Sequence, residues 1–457
     1  MKVLVLGAGK IGYGIAKEMS LNGHDVVVVD HDQLVLDKVA EKLDVKPVFG
    51  HASDIGVLKE SGLEETDILI SVTPFDEVNI TACQIADVMS GTELKIARID
   101  KRSYFDSSIF VNSNKFPIDF TVSPYIENLH LIRRSVSISS ALDVISCVDG
   151  KLKVIGVTCK KGSALANVPL KYISSIDEQS KIAILYIRKK NEIHGILPGK
   201  RHIIEPDDTI YFVCSENDTK YAMNLFGYEA DETNSVVIVG GGSICEEISN
   251  LIVSLDVDVK IIEENFNVAE VLAEKFEAIN IVHGNPLDSD VLRTANISET
   301  GIVISMTEDD KTNILACLLA KKLGAKRCAA VLNNISYCDL LYTLGINAIL
   351  DSRSAIISKI LHHIRKGGTE DVLNLEGDEI EIIVIEALNN SYIIGTFAKK
   401  LLSKNEVLIA AIVRNNEISM LPKKKLINAG DRILLAIRKN ATNKVLNLFQ
   451  AKPKYLA

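Results

Sequence analysis

Val3-Leu4-Val5-Leu6-Gly7-Ala8-Gly9-Lys10-Ile11-Gly12 decides how the rest of this chain reads. Four apolar residues enter a glycine cluster, and a helical apolar pattern follows at once. The glycines have the spacing G-x-G-x-x-G. Gly7 permits a tight turn, Gly9 lets backbone approach a pyrophosphate, and Gly12 allows a helix to pack closely on its strand. The free N–H groups at the helix start, together with its dipole, attract phosphates. The loop Gly7, Ala8, Gly9, Lys10, Ile11 and Gly12 is therefore a candidate nucleotide cradle. Asp30 closes the next apolar run, 23 residues beyond Gly7. An acid there hydrogen-bonds the ribose hydroxyls of an adenosine and repels a 2′-phosphate, which favours NAD(H) over NADP(H) and leaves ATP and ADP allowed. The competing assignment for Asp30 is a helix cap.

Outward from this stretch, apolar runs alternate with helical patterns. Lys2–Leu6, Asp25–Val29, Pro47–Phe49, Asp67–Val72 and Leu94–Ile99 read as buried strands. Ile11–Leu21, Asp32–Leu43, Asp54–Ser61 and Asp76–Ser90 read as helices between them. Strict alternation predicts an α/β fold, a Rossmann-like doubly wound parallel sheet. In such a sheet the fourth strand lies beside the first, so Thr73 and Pro74 at its end face the glycine loop across the switch-point crevice. Arg98, ending the fifth strand, is placed to meet a phosphate; a surface ion pair is its competing assignment.

The pattern occurs twice. Gly240-Gly241-Gly242 follows the apolar run Val236–Val239, and Glu263 stands 23 residues beyond Gly240. Asn79–Ala86 and Asn313–Ala320 share five of eight residues, and Thr73 matches Thr307. The smaller parts repeat as well: Ile187-Arg188, Asn191-Glu192-Ile193 and Leu197-Pro198 return as Val413-Arg414, Asn416-Glu417-Ile418 and Leu421-Pro422. The chain thus reads as a two-domain module copied in tandem, with Rossmann-like parts at 1–122 and 234–352 and small α+β parts at 138–227 and 372–453. Seams are expected near Ser135–Ser140, Glu229–Ser235 and Gly367–Glu370. The second candidate site is Gly240, Gly241, Gly242, Ser243, Ile244, Glu263 and Thr307. Among its differences from the first, Cys245 replaces Gly12 and Val331 replaces Arg98.

Composition narrows the function classes. The 457 residues carry a formal net charge of −9, 5% aromatics and no Trp. No Lys/Arg block reads as a nucleic-acid or lipid arm, and no apolar run approaches the ~18 residues of a membrane span. The N-terminus enters a strand with no signal-peptide layout, so a soluble cytosolic chain is expected. The eight cysteines form no CxxC pair and no zinc spacing; free Cys in apolar stretches behaves as a small core residue. Neither a metal site nor a catalytic constellation is expected.

Gly7–Gly12, Asp30, Gly50-His51-Ala52-Ser53, Ser71-Val72-Thr73, Asp76-Glu77-x-Asn79 and Ala97-Arg98-Ile99 resemble the nucleotide-binding domain of the regulator-of-potassium-conductance (RCK, or KTN) family. Arg188, Pro198 and Glu205-Pro206-Asp207-Asp208 resemble that family's C-terminal partner domain, as Phe116-Pro117-Ile118-Asp119 resembles another of its segments. The resemblance implies a peripheral regulatory subunit on the inner face of a bacterial inner membrane. It implies nucleotide effectors (NAD(H), with ATP/ADP possible), a homo-oligomer expected as a tetramer, and a membrane potassium transporter partner (TrkH/TrkG-like). The alternative is an NAD-dependent dehydrogenase, which requires a catalytic domain with a positioned acid or base. A redox-sensing transcription regulator would need a basic, DNA-reading element.

Overall fold

The computed structural model describes the chain outside residues 106–115, 139–140, 174–176, 178–180, 191, 193, 200, 229–234, 243–244, 246–248, 250–256, 278, 333–340, 342–343, 345, 347, 365–368, 375–379, 398–405, 423–424 and 450–457. Ser243, Ile244, Cys338, Asn191, Ile193 and most of the expected seams therefore lie outside the described residues. The chain forms two compact units, Met1–Asn128 with Asp351–Ile364, and Leu129–Leu350 with Arg365–Ala457.

The first unit holds a parallel sheet of strands β1 (Lys2–Leu6), β2 (Asp25–Asp30), β3 (Lys46–Phe49), β4 (Ile68–Ser71), β5 (Leu94–Arg98) and β6 (Phe120–Val122). Their order is β3-β2-β1-β4-β5-β6, the doubly wound arrangement. The central strands are apolar on both faces, because helices cover both. Helices α1 (Lys10–Leu21), α2 (Gln33–Lys42), α3 (Ile55–Glu60) and α4 (Asp76–Met89) connect the strands. Asp32 caps α2 by accepting from the amide of Leu34 at 2.9 Å, and Asp54 caps α3 through Gly56 at 2.7 Å. Both caps satisfy donors that a helix start leaves open. On one face α3 and α4 close over Leu4, Leu6, Leu69 and Ala97.

On the other face α1 and α2 lie over β1, β2 and β3, leaving Ile96 and Val122 of β5 and β6 to be covered. The cover comes from far along the chain. Helix Ser352–Ile364 packs on α1 and β6, and Ile356, Ile360 and Ile364 join the core with Ile96 and Val122. The stacked rings of Phe120 and His363, centroids 4.0 Å apart, fix its far end. Nothing in the repeat pattern foretells this; a repeat shows like elements, not which copy they pack against.

The second unit contains the second doubly wound sheet, Asn280–His283, Asp258–Glu263, Ser235–Val239, Ile302–Ser305, Cys328–Val331 and Ala348–Leu350 in spatial order. Ile132 and Val136, from helix Pro124–Ser137, enter its core beside Val236, Ile304, Val331 and Leu350. The buried guanidinium of Arg327 holds the end of that helix and the turn after it, donating to the carbonyls of Ser135 (3.1 Å), Ile138 (3.0 Å) and Ala141. Burial lowers the pKa of Arg327 to about 10, still charged at neutral pH. The small parts are antiparallel sheets, one of Asp143–Cys147, Leu152–Thr158, Ile182–Arg188 and Thr209–Ser215, closed by helix Thr219–Leu225. The other runs from Thr369–Asn374 to Arg432–Arg438 and is closed by helix Lys439–Phe449. One face of each shares a core, with Val154 and Leu185 beside Ile382, Val384 and Ala436.

Candidate nucleotide site

The first glycine loop turns between the C-terminal ends of β1 and β4. Gly7 takes φ +98°, a left-handed conformation that favours glycine, and a Cβ there would lie 3.1 Å from the amide nitrogen of Thr73. A Cβ on Gly12 would lie 1.8 Å from the Gly7 carbonyl oxygen, so α1 approaches its own loop only because Gly12 has none. Gly9 differs: a Cβ there would meet nothing within 4 Å. Gly9 and Lys10 are exposed where α1 begins, whereas Ala8 and Ile11 are buried. The loop therefore has a packed inner side and an open outer side with amide donors, the layout an anion needs.

Asp30 stands across the loop. Its Oδ2 accepts from the amide of Ala8 at 2.6 Å and its Oδ1 from the amide of Asp32 at 2.9 Å. Asp32 performs the capping of α2, which leaves Asp30 to the loop. Thr73 reaches the crevice through its backbone, because its hydroxyl donates to Oδ1 of Asn79 at 2.7 Å. Pro74 is exposed on the lip beyond it. Arg98 ends β5 with its guanidinium on Oδ2 of Asp100, Nε at 2.9 Å and Nη2 at 2.5 Å. A phosphate would have to draw it from that partner.

Two residues not counted among the candidates hold the crevice together. Asn79 is fully buried. Its Nδ2 donates to the carbonyls of Thr73 (3.0 Å) and Arg98 (2.8 Å). Its Oδ1 accepts from Ser71 Oγ at 2.9 Å and the Thr73 amide at 3.0 Å. The tips of β4 and β5 are thus tied to α4 by one amide. Asp76, also buried, accepts from the amides of Asp100 (2.9 Å) and Lys101 (2.8 Å) and shapes the turn after β5. A polar residue kept on the buried face of both copies of an apolar helix was the available signal, and Asn313 repeats it.

The second crevice keeps this frame. Gly240 takes φ +104° against the amide of Thr307, and Nδ2 of Asn313 donates to the carbonyls of Thr307 and Val331, both at 2.9 Å. Glu263 accepts from the amides of Gly241 and, at 2.6 Å, Asn265. A Cβ on Gly241 would lie 2.7 Å from Glu263 Oε2. The longer acid is accommodated because glycine stands where the first loop has Ala8. Gly242, like Gly9, faces open space. Cys245, fully buried, occupies the position of Gly12. The lip has changed sign: Thr307-Glu308-Asp309-Asp310 stands where the first copy has Thr73-Pro74-Phe75-Asp76. The Thr312 hydroxyl and amide hold the Asp309 carboxyl below its usual range, so it stays ionised. Val331 supplies no cation.

The TrkA-N domain family matches the chain twice, over residues 3–124 and 236–352. The Trk system potassium uptake protein TrkA of Azorhizobium caulinodans is 30% identical over 459 residues, covering 100% of both chains. Its counterpart in Halomonas elongata is 30% identical, covering 98% of this chain and 99% of that one. The TrkA homolog 2 of Methanosarcina mazei is 29% identical over 98% of this chain and all of its own. Among solved structures, the GsuK RCK domain superposes with a TM-score of 0.61 at 17% identity, covering 98% of this chain and 94% of that one. A GsuK channel bound to NAD gives 0.60 at 17% identity, with 98% and 78% covered. At this identity the likeness speaks for the fold.

Proposed function

The chain belongs to the TrkA family of potassium uptake proteins, and we propose that it is the nucleotide-sensing regulatory subunit of a Trk-type system. In this reading NAD(H), or ATP and ADP, occupy the first crevice and bias the chain between conformations that gate a membrane potassium transporter subunit (TrkH/TrkG-like). A ligand shifts such an equilibrium only through unequal affinity for the two conformations. The role is regulatory: the crevice residues named above bind and orient, and the chain acts as a homo-oligomer, a tetramer, peripheral on the cytoplasmic face. Full-length likeness to potassium uptake proteins supports the system. The ligand rests on one observation, the Asp30 carboxylate set against the Ala8 amide at 2.6 Å beside the open side of Gly9.

Two measurements test this. NADH should bind at least about tenfold more tightly than NADPH, because a 2′-phosphate would meet the Asp30 charge. Asp30→Ser should abolish that preference in a direct titration, and equal affinities in the unmutated chain would sink the assignment of Asp30 to the ribose. No helix among the described residues is long and apolar enough to cross a membrane. Membrane association should therefore depend on the transporter and be reversed by high salt or alkaline carbonate. Retention on vesicles lacking any transporter, releasable only by detergent, would contradict a peripheral subunit.

A further inference from the structure

We propose that Arg353 is a phosphate ligand of the first crevice, donated by the helix that follows the second Rossmann-like sheet. The inference rests on the nucleotide reading above and adds a recognition residue to it.

The direction of helix Ser352–Ile364 places the residue. His363, near its C-terminal end, stacks on Phe120, which starts β6. Ile356 and Ile360 lie in the core with Val122, which ends β6. The helix therefore begins at the C-terminal edge of the sheet, where the crevice opens. Helix α1 begins at the same edge, since it follows the end of β1, and the two run side by side. Their contact is close: a Cβ on Gly14 would lie 2.3 Å from Cδ1 of Ile357. One helical turn toward the N-terminus from that contact leads to Lys10 on α1 and to Arg353 on its neighbour. Arg353 thus stands beside the start of α1, at the open side of the glycine loop. The helix covers β5 and β6 while Asp30 sits on β2, so Arg353 lies at the end of the crevice away from the adenosine ribose.

Its hydrogen bonds leave it incompletely used. The buried Asp351 carboxylate, 1% exposed, accepts from the Arg353 amide and from Arg353 Nε, each at 3.0 Å, and from Ser354 Oγ at 2.8 Å. This anchors the guanidinium at Nε. Nη2 is buried with no hydrogen-bond partner, on a side chain only 12% exposed. A buried charged donor left unpaired is costly. A guanidinium anchored at one nitrogen with its distal donors unspent is pre-oriented for the oxygens of a phosphate. Arg98, on β5 beside Val122 of β6, ends at the same side of the crevice. The two arginines would bracket the phosphate farthest from adenosine. In the other copy, Ser123-Pro124-Tyr125 stands where Asp351-Ser352-Arg353 stands here, so the chain carries this cation once.

The test is a titration of the full-length chain, unmutated and as Arg353→Gln and Arg353→Lys, with ATP, ADP, AMP and adenosine. Thermal unfolding of each ligand-free variant reports the fold. Arg353→Gln should weaken ATP ten- to hundredfold and ADP by less, and leave adenosine unchanged; Arg353→Lys should recover part of the ATP affinity. Unaltered ATP binding by a folded Arg353→Gln chain would overturn the assignment. So would an equal fold-loss for ATP and adenosine, which marks a merely structural role. An unmutated chain that binds none of the four, nor NADH, overturns the nucleotide reading and this assignment with it.

Discussion

Asn79→Leu should cost the first unit about 4 kcal/mol of stability and abolish nucleotide binding there. The substitution nearly conserves volume but removes a donor pair and an acceptor from a fully buried position. The Thr73 amide, Thr73 carbonyl and Arg98 carbonyl would lose their partners at 3.0, 3.0 and 2.8 Å. Each buried backbone group left unsatisfied costs ~1–3 kcal/mol, and water entering from the nearby crevice relieves part of the sum. The Thr73 amide gives a local readout, since its hydrogen exchange should accelerate far more than that of β1 amides. Asn313→Leu is the matched control, because its bonds to Thr307 and Val331 repeat the geometry in the second unit. Exchange at Thr73 left unchanged would show that the tips of β4 and β5 are held by something other than this amide.

Arg98→Ala should lower affinity for a nucleotide triphosphate at the tighter site, and the two sites of the unmutated chain should differ in the same direction. A hydrogen bond to a charged group contributes ~1.5–3 kcal/mol, roughly a ten- to hundredfold change in affinity. The first crevice has Arg98, at present paired with Asp100, and an uncharged lip of Pro74 and Phe75. The second has Val331, with Glu308 and an ionised Asp309 on its lip. Glu263 keeps the ribose position, so adenosine recognition should survive while each added phosphate weakens binding. Calorimetry should therefore resolve one tight and one weak site per chain for ATP, with a smaller gap for adenosine. Gly242→Asp should affect only the weak site. Two equal, independent ATP sites per chain would refute the asymmetry.

Much of this is legible in the residues alone. A strand entering G-x-G-x-x-G and an acid at the end of the next strand are local patterns, set by backbone sterics and hydrogen-bonding chemistry within some thirty residues. Their recurrence from Gly240 points to the tandem organisation, and the apolar alternation predicts doubly wound parallel sheets, whereas the edge strand Phe120–Val122 is too short to stand out as an apolar run. Thr73 came to the loop because β4 must lie beside β1 in such a sheet. What a side chain does there was less legible. The Thr73 hydroxyl is taken by Asn79, and Arg98 rests on Asp100. The match of Ala8 with Asp30, and of Gly241 with the longer Glu263, is visible only when loop and acid face each other.

Periodicity and short-range spacing are enough to specify the two glycine-acid loops, the doubly wound sheets and their duplication. Three-dimensional packing alone assigned the last covering helix of the first sheet to Ser352–Ile364, the segment that follows the second sheet. Helices α1 and α2 leave β5 and β6 bare on one face, and hydrophobic burial demands a cover without specifying its origin, since it is proportional to area and blind to chain order. Ile357 settles the matter by fitting against the missing Cβ of Gly14, a contact between residues 343 positions apart that no periodicity encodes.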